Sequence, residues 1–360
     1  MPTSKGGWTR KVLHAFSGGN DGADPQGTLV LDDAGNVYGT TYRGGSNGMG
    51  VVFELSPHSG AWKETVLHAF AGSPDGAGPT SGVIFDGAGN LWGTTSAGGS
   101  ASGSGGTVFT LTHTSSGWTE GLVHSFPFGC GKASCSDGAS PNGLVVGAKG
   151  SFFGTTYEGG ASNCTDNEGD LIGCGVVYEL MPSDNGWTEA VVYTFTGGTD
   201  GGFPVDTLVI DQSYLHLYGT LENGGGSCNG GFCGNIFAIS HPDGQWVETV
   251  IHNFDGKDGS TPLAGLTMDA AGNLFGTTSS GTRCCSNLPK PPKRGPCCGT
   301  VFELTPDKDA WKETVLHNFT GGDDGMTPEG GVVFDAAGNL YGTTAWGGAR
   351  GEGVVFQLKP

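Results

Sequence analysis

The chain has 360 residues, of which 71 are glycine, and 35 acidic against 16 basic side chains give it a net charge of -19. That charge argues against nucleic acid or an anionic membrane surface as the main partner, and no run of residues is apolar and long enough for a transmembrane helix. Glycine is spread through turns rather than gathered in a linker, so a single folded domain over residues 1–360 is expected.

From Trp8 onward one block recurs six times, marked by a Gly-Thr pair whose threonines are Thr40, Thr94, Thr155, Thr220, Thr277 and Thr343. Periods of this size signal an array of similar supersecondary units. The first copy opens with Trp8 to Phe16, a run of strand character. The last copy shows all four strand runs most cleanly: Trp311 to Phe319, Gly331 to Asp335, Asn339 to Thr344 and Gly353 to Leu358. Branched and aromatic residues fill these runs, while Gly, Asp, Asn and Pro separate them. The link from Asp335 to Asn339 is a tight hairpin, because Gly338 and Asn339 tolerate the backbone angles it needs.

No stretch carries a helical period, so the fold is expected to be all-β. Four strands in each of six repeats predict a six-bladed β-propeller with four-stranded blades. Its last blade would combine residues 329–360 with residues 8–16 as the outermost strand, pairing two edges otherwise free to aggregate. An open β-solenoid or β-helix is the alternative, but such repeats are usually shorter and need terminal caps.

The run Asp335-Ala-Ala-Gly-Asn-Leu-Tyr-Gly-Thr-Thr344, followed by Gly347-Gly348 and Gly353-Val-Val-Phe356, resembles the GloVer tandem-repeat family of bacterial proteins. The resemblance spans all six copies. It implies export and a tandem-repeat architecture, and it brings no established activity and no catalytic residues.

Ten cysteines lie in loops that interrupt the repeat: Cys130 with Cys135, Cys164 with Cys174, Cys228 with Cys233, and Cys284, Cys285 with Cys297, Cys298. Five short-range disulfides and an oxidising compartment are expected, with the pairing inside the last set left open. A zinc site is the alternative for that set, although adjacent cysteines are not the usual ligand spacing. Each bridge should stiffen its own loop rather than hold the blades closed. Met1 to Gly7 lacks the apolar core of a signal peptide, so a mature or trimmed secreted form is expected.

Three recurring features could carry chemistry. The Asp-Gly-x-x-Pro segments place Asp21, Asp75, Asp137, Asp200, Asp258 and Asp324 on one face. They would hold Ca²⁺, line a ligand pocket, or accept backbone hydrogen bonds in their own turns, the last being the reading that recurrence in every blade favours. No other cofactor is expected. His14, His68, His124, His252 and His317, with Tyr193 in the remaining copy, occupy one position of the outermost strand. By period-two alternation Trp62, Glu64, Val66, His68 and Phe70 should share a face, which makes the histidine a packed residue rather than a catalytic one.

The loop after Gly-Thr-Thr breaks the symmetry. It carries Tyr42 and Arg43, Tyr157 and Glu158, Glu222 and Asn223, and Trp346 with Arg350; two copies are enlarged, one by Asp166, Glu168 and Asp170 and one by Arg283, Lys290, Lys293 and Arg294. Aromatics beside carboxylates and arginines suit stacking on sugar rings or anchoring a protein partner. No Gly-x-Ser-x-Gly elbow, His-Glu-x-x-His pair or phosphate loop appears. The preferred reading is therefore an extracellular binding or interaction module, for a glycan or a surface protein, with its ligand surface on the loop-rich face. An exported carbohydrate-active hydrolase or lyase using carboxylates, with or without Ca²⁺, is the second. A structural cell-surface component that self-associates is the third.

Overall fold

Branched and aromatic runs separated by Asp, Gly and Asn fold into antiparallel meanders, and these are the blades of a six-bladed β-propeller. The structure, a computed structural model, describes residues 12–99, 104–127, 135–160, 164–166, 168–225, 227–228, 231–281, 298–308 and 310–360. The chain falls into two compact units, Met1–Ser125 and Phe126–Pro360. The single-domain reading stands as a proposal.

In the first unit, blade one pairs Ala23–Leu31, Val37–Arg43, Val51–His58 and Ala61–Ala69 in that order, and blade two pairs Ile84–Phe85, Leu91–Thr95, Ser104–Thr114 and Gly117–Pro127. In the second, blade three runs from Ala139–Val146 through Phe152–Glu158 and Val176–Ser183 to Gly186–Thr194. Blade four contains Gly202–Ile210, His216–Asn223, Asn235–Ser240 and Val247–Asn253. Blade five contains Thr267–Met268, Leu274–Thr278, Thr300–Asp307 and Ala310–Asn318. Blade six contains Val333–Phe334, Leu340–Thr344 and Val354–Leu358 and has no fourth strand among the described residues.

The repeated polar residues explain why each blade folds this way. At the first hairpin Asp32 accepts hydrogen bonds from the backbone N–H of Ala34 and Asn36, from the Asn36 amide and from the Tyr38 hydroxyl. Asp335 does the same for Ala337, Asn339 and Tyr341. The threonine of the Gly-Thr pair reaches sideways in several copies: Thr40 donates to the Ser81 carbonyl, Thr220 to Ala264 and Thr277 to Gly330, tying a second strand to the next blade's innermost segment.

The outermost strands of blades one, three, four and five each contain a β-bulge that the sequence does not announce. Val52 pairs with His68 and Phe53 with Val66, so Leu67 is an extra residue; Val192, Ile251 and Leu316 hold the same place in blades three, four and five. The extra residue breaks the alternation expected for Trp62 through Phe70. Trp62 and Val66 pack backward with Phe53, Leu55, Leu13 and Phe16, whereas Phe70 packs forward with Val83, Leu91 and Phe109 of blade two. The hydrophobic core consequently lies in the seams between blades. Phe195 of blade three packs with Phe237, Ile239 and Trp246 of blade four, and Phe254 of blade four with Phe302, Leu304 and Trp311 of blade five.

The cysteines also belong to these seams. Cys164 and Cys174 form a disulfide, and both are buried in the cluster that holds Phe195, Phe203 and Leu221. Cys233 and Cys298 are likewise oxidised and buried in the next two seam clusters, and Cys135 is oxidised too. The Cys164–Cys174 bridge is local, spanning ten positions of one loop, and its sulfurs pack into the seam cluster. Cys130, Cys284, Cys285 and Cys297 lie outside the described residues, and nothing of the Cys228 side chain is described. The basic residues Arg283, Lys290, Lys293 and Arg294 of the enlarged loop fall outside as well.

The outer edge of blade six is open among the described residues. Val355 on the Val354–Leu358 strand is 79% exposed. A depression of about 730 Å³ lies between blades five and six, lined in part by Phe275, Leu316, Phe334 and Leu358. Of the segment Trp8 to Phe16 expected to complete this blade, residues 8–11 lie outside the described residues; His14 and Phe16 make within the first unit the ring contact seen for His68 and Phe70. Closure remains a proposal with a direct check: removing residues 1–16 should lower the unfolding temperature sharply, and an unchanged temperature would sink it. Replacing Cys164 and Cys174 together by Ser should cost roughly 2–4 kcal/mol, read from the urea midpoint. A midpoint equal to the wild type would show that the bridge is idle.

Candidate functional site

In every blade the innermost strand begins, and the second ends, at the loop-rich face. The Asp-Gly turn and the loop after Gly-Thr-Thr therefore lie side by side, as shown by the pairs Ala23 with Arg43, Ala77 with Ala97, Ser260 with Ser280 and Met326 with Trp346. The candidate residues are positioned by this register.

The aspartates of the Asp-Gly turns face inward to their own turns. Asp21 accepts from the Ser17 N–H and hydroxyl and lies 3.3 Å from His14 Nε2. Asp75 accepts from the Ala71 N–H and lies 3.0 Å from His68 Nε2. Asp258 pairs with His252 at 3.0 Å and Asp324 with His317 at 3.3 Å, and Asp200 accepts from the Tyr193 hydroxyl at 3.1 Å. Asp137 is engaged as well. The repeated aspartate and the repeated histidine are thus two halves of one interaction. These hydrogen bonds hold the Asp21 and Asp258 carboxyls below the usual range, led at Asp21 by Ser17; at Asp258 burial acts in the opposite sense and is outweighed by the bonds from His252 and Asp255.

The residue before the proline of this segment adopts a left-handed backbone in all six copies, at Asp24, Gly78, Ser140, Phe203, Thr261 and Thr327, with φ between 53° and 60°. Such a conformation is costly for any of them except glycine, and most of all for a bulky or β-branched side chain. It persists because the backbone is clamped on both sides. The Thr261 N–H donates to the Cys233 carbonyl and its own carbonyl accepts from Ser279, while Thr327 bridges Cys298 and Ala345 in the same way.

Against this background the symmetry-breaking residues form distinct groups. In the second unit Tyr157 stacks on Phe203 with ring centroids 5.0 Å apart and donates its hydroxyl to Glu222 Oε2 at 2.8 Å. Burial, then the Glu222 charge, raises the Tyr157 phenol well above its usual value, and burial with Asp166 nearby raises the Glu158 carboxyl. Tyr157 and Glu222 come from neighbouring blades, so the fold brings together two residues that the sequence singled out separately. Phe203 was not among them. Its signal is that it stands where the other five copies carry Asp, Gly, Ser or Thr.

In the first unit Tyr42 lies against Gly78, where a side chain would meet its ring at 2.8 Å, and the Arg43 guanidinium sits 5.5 Å from that ring while approaching Asp24 at 3.6 Å. Tyr42 and Tyr157 are therefore half-buried, unlike the open aromatics expected. Trp346 is 49% exposed. On the same loop Arg350 lines a shallow depression of about 440 Å³ with Asp323 and Glu352, at the open edge of blade six. Asp166, Glu168 and Asp170 bring carboxylate oxygens within 4.8 Å of one another, which is where a hard cation would find oxygen ligands, although Asp166 already accepts from the N–H groups of Glu168 and Asp170.

Comparison with solved structures gives the fold alone. A Lactobacillus plantarum protein is 13% identical, with 92% of this chain and 87% of that one covered and a TM-score of 0.51. A candidate 6-phosphogluconolactonase of Bacteroides uniformis is 14% identical over 87% of this chain and 76% of that one, and a candidate oxidoreductase (glucose dehydrogenase) of Thermus thermophilus is 13% identical over 95% and 98%; both have TM-scores of 0.50. Different chemistries on one scaffold leave function to the site. No curated protein matches the chain. A family profile described as the Gloeobacter/Verrucomicrobia repeat matches residues 2–167 and 131–287, and the chain belongs to that family.

Proposed function

We propose that the protein is an extracellular binding or interaction module that presents a glycan- or protein-binding surface on its loop-rich face. One observation carries the reading: the repeated polar residues are used in bonds inside and between blades, whereas Tyr157, Glu222, Phe203 and Trp346 depart from the repeat on that single face. Rigid scaffolds concentrate recognition in such loops. Oxidised cysteines favour an exported location, and no helix among the described residues is long and apolar enough to cross a membrane. The acidic balance disfavours nucleic acid as a partner.

The second reading, a carbohydrate-active hydrolase or lyase, needs a desolvated carboxylate pair in an open pocket. Glu248 and Asp200 are neighbouring carboxylates, yet they lie in a blade seam with the Glu248 Oε1 sealed from solvent. That placement favours binding over catalysis.

Glycan and surface-protein arrays probed with the full chain would identify the ligand. Trp346→Ala should change stability within about 0.5 kcal/mol, as expected for an exposed site. Tyr157→Phe removes the hydroxyl that holds Glu222 while keeping the stack on Phe203. Together the two substitutions should weaken binding by at least ~2 kcal/mol if these residues anchor the ligand. Equal binding by the variant and the wild type, or a ligand mapped to the opposite face, would defeat the proposal.

A further inference from the structure

Glu64, Glu120, Glu248 and Glu313 each stand two residues after the tryptophan of an outermost strand. They precede the bulge, so they share the backward-facing side with that tryptophan. In each, the Oε1 atom is sealed from solvent and has no hydrogen-bond partner. Four equivalent orphaned oxygens are hard to explain as accidents, because a buried acceptor without a donor is costly and a buried anion more so.

What faces them across the seam is equally regular. His14 and Asp21 face Glu64, and His68 and Asp75 face Glu120. His252, Asp258 and Asp255 face Glu313, while Tyr193 and Asp200 face Glu248. For Glu120, Glu248 and Glu313 the bulge beside His68, Tyr193 and His252 creates this meeting: it turns the His or Tyr forward, toward a Glu pointing back from the next blade. The turn aspartates are already hydrogen-bonded to the His or Tyr. A second anion beside them would add repulsion to the desolvation cost.

We propose that Glu248 and Glu313 hold protons in the folded protein up to neutrality and make their blade seams a pH-operated lock, tight in mild acid and loosened by deprotonation. Burial is the leading cause, pushing all four carboxyls upward and Glu248 and Glu313 to about 7. At Glu248 the Asp200 charge adds to burial and Tyr193 stands where other seams carry a histidine. A carboxyl raised on folding contributes stability that is fully present below its unfolded value of about 4.5 and is lost as pH climbs through about 7. Asp21 and Asp258 are shifted downward, so their contribution is lost only at stronger acidity, as pH falls through their lowered values. Mild acid is where both sets favour the closed seam.

The test uses the full chain with its disulfides intact. Unfolding temperature is measured from mild acid to mild alkali for the wild type and for the double variant Glu248→Gln and Glu313→Gln, in which glutamine reproduces the shape of a protonated carboxyl. The wild type should lose several degrees across neutrality, and the double variant should lose much less and surpass it on the alkaline side. A variant with the wild-type slope, or a wild type whose temperature holds or rises across neutrality, overturns the proposal. Carbon-13 titration of glutamate carboxyls in the wild-type protein decides independently of how the variant folds. Resonances of Glu248 and Glu313 that move near neutrality support the lock, and titration of both in the ordinary carboxylate range refutes it.

Discussion

One extra residue in the outermost strands of blades one, three, four and five organises the contacts between blades. Without the bulge at Leu67, Val192, Ile251 or Leu316, strict alternation would put the strand tryptophan, glutamate, histidine and phenylalanine on one face. With it, Trp246 of blade four can pack against Phe153 of blade three while Phe254 of the same strand packs against Phe302 of blade five. A sheet's apolar face must be buried against another element for the fold to be stable. Turning one strand toward both neighbours gives adjacent sheets of a unit a shared core.

The repeat's polar residues serve the same end. Asparagine and aspartate close hairpins, threonine reaches the next blade, and histidine locks the turn that leads to it. Because these groups bond to one another, they have little left to offer a ligand. The binding surface proposed above would draw on residues that depart from the pattern, and the blade-three to blade-four seam holds several: Tyr193 for histidine, Phe203 in a left-handed position, Tyr157 bonded to Glu222, and a disulfide packed against Gly197 and Gly202. Gly202 replaces the larger residue found at the same place in the other copies, which leaves room for the sulfurs.

Much of the architecture was legible because β-strands announce themselves by composition and the repeat by its period. The strands expected at 339–344 and 353–358 appear as Leu340–Thr344 and Val354–Leu358. The bulges were not legible, since Leu67 is as apolar as Val66 and nothing in the spelling of the strand marks it as extra. The same blindness separated Asp75 from His68: seven positions apart, they meet only because a turn folds the chain back. At the candidate site, sequence marked Tyr157 and Glu222 as unusual, but only the adjacency of two blades joins residues 65 positions apart. Exposure was misjudged at Tyr42 for a related reason, because the missing side chain of Gly78 lets the ring settle onto the neighbouring backbone.

The claim that the bulge sets the packing can be tested by deleting a residue rather than changing one. Removing Leu67 restores simple alternation and should turn His68 and Phe70 away from blade two, whereas Leu67→Ala keeps the extra residue and trims only a half-buried side chain. Comparing the thermal unfolding of the two variants with the wild type is the most direct measurement. A steep loss of cooperative unfolding on deletion, beside a modest shift for Leu67→Ala, is the predicted result. A deletion variant that unfolds as cooperatively and at the same temperature as Leu67→Ala would contradict it.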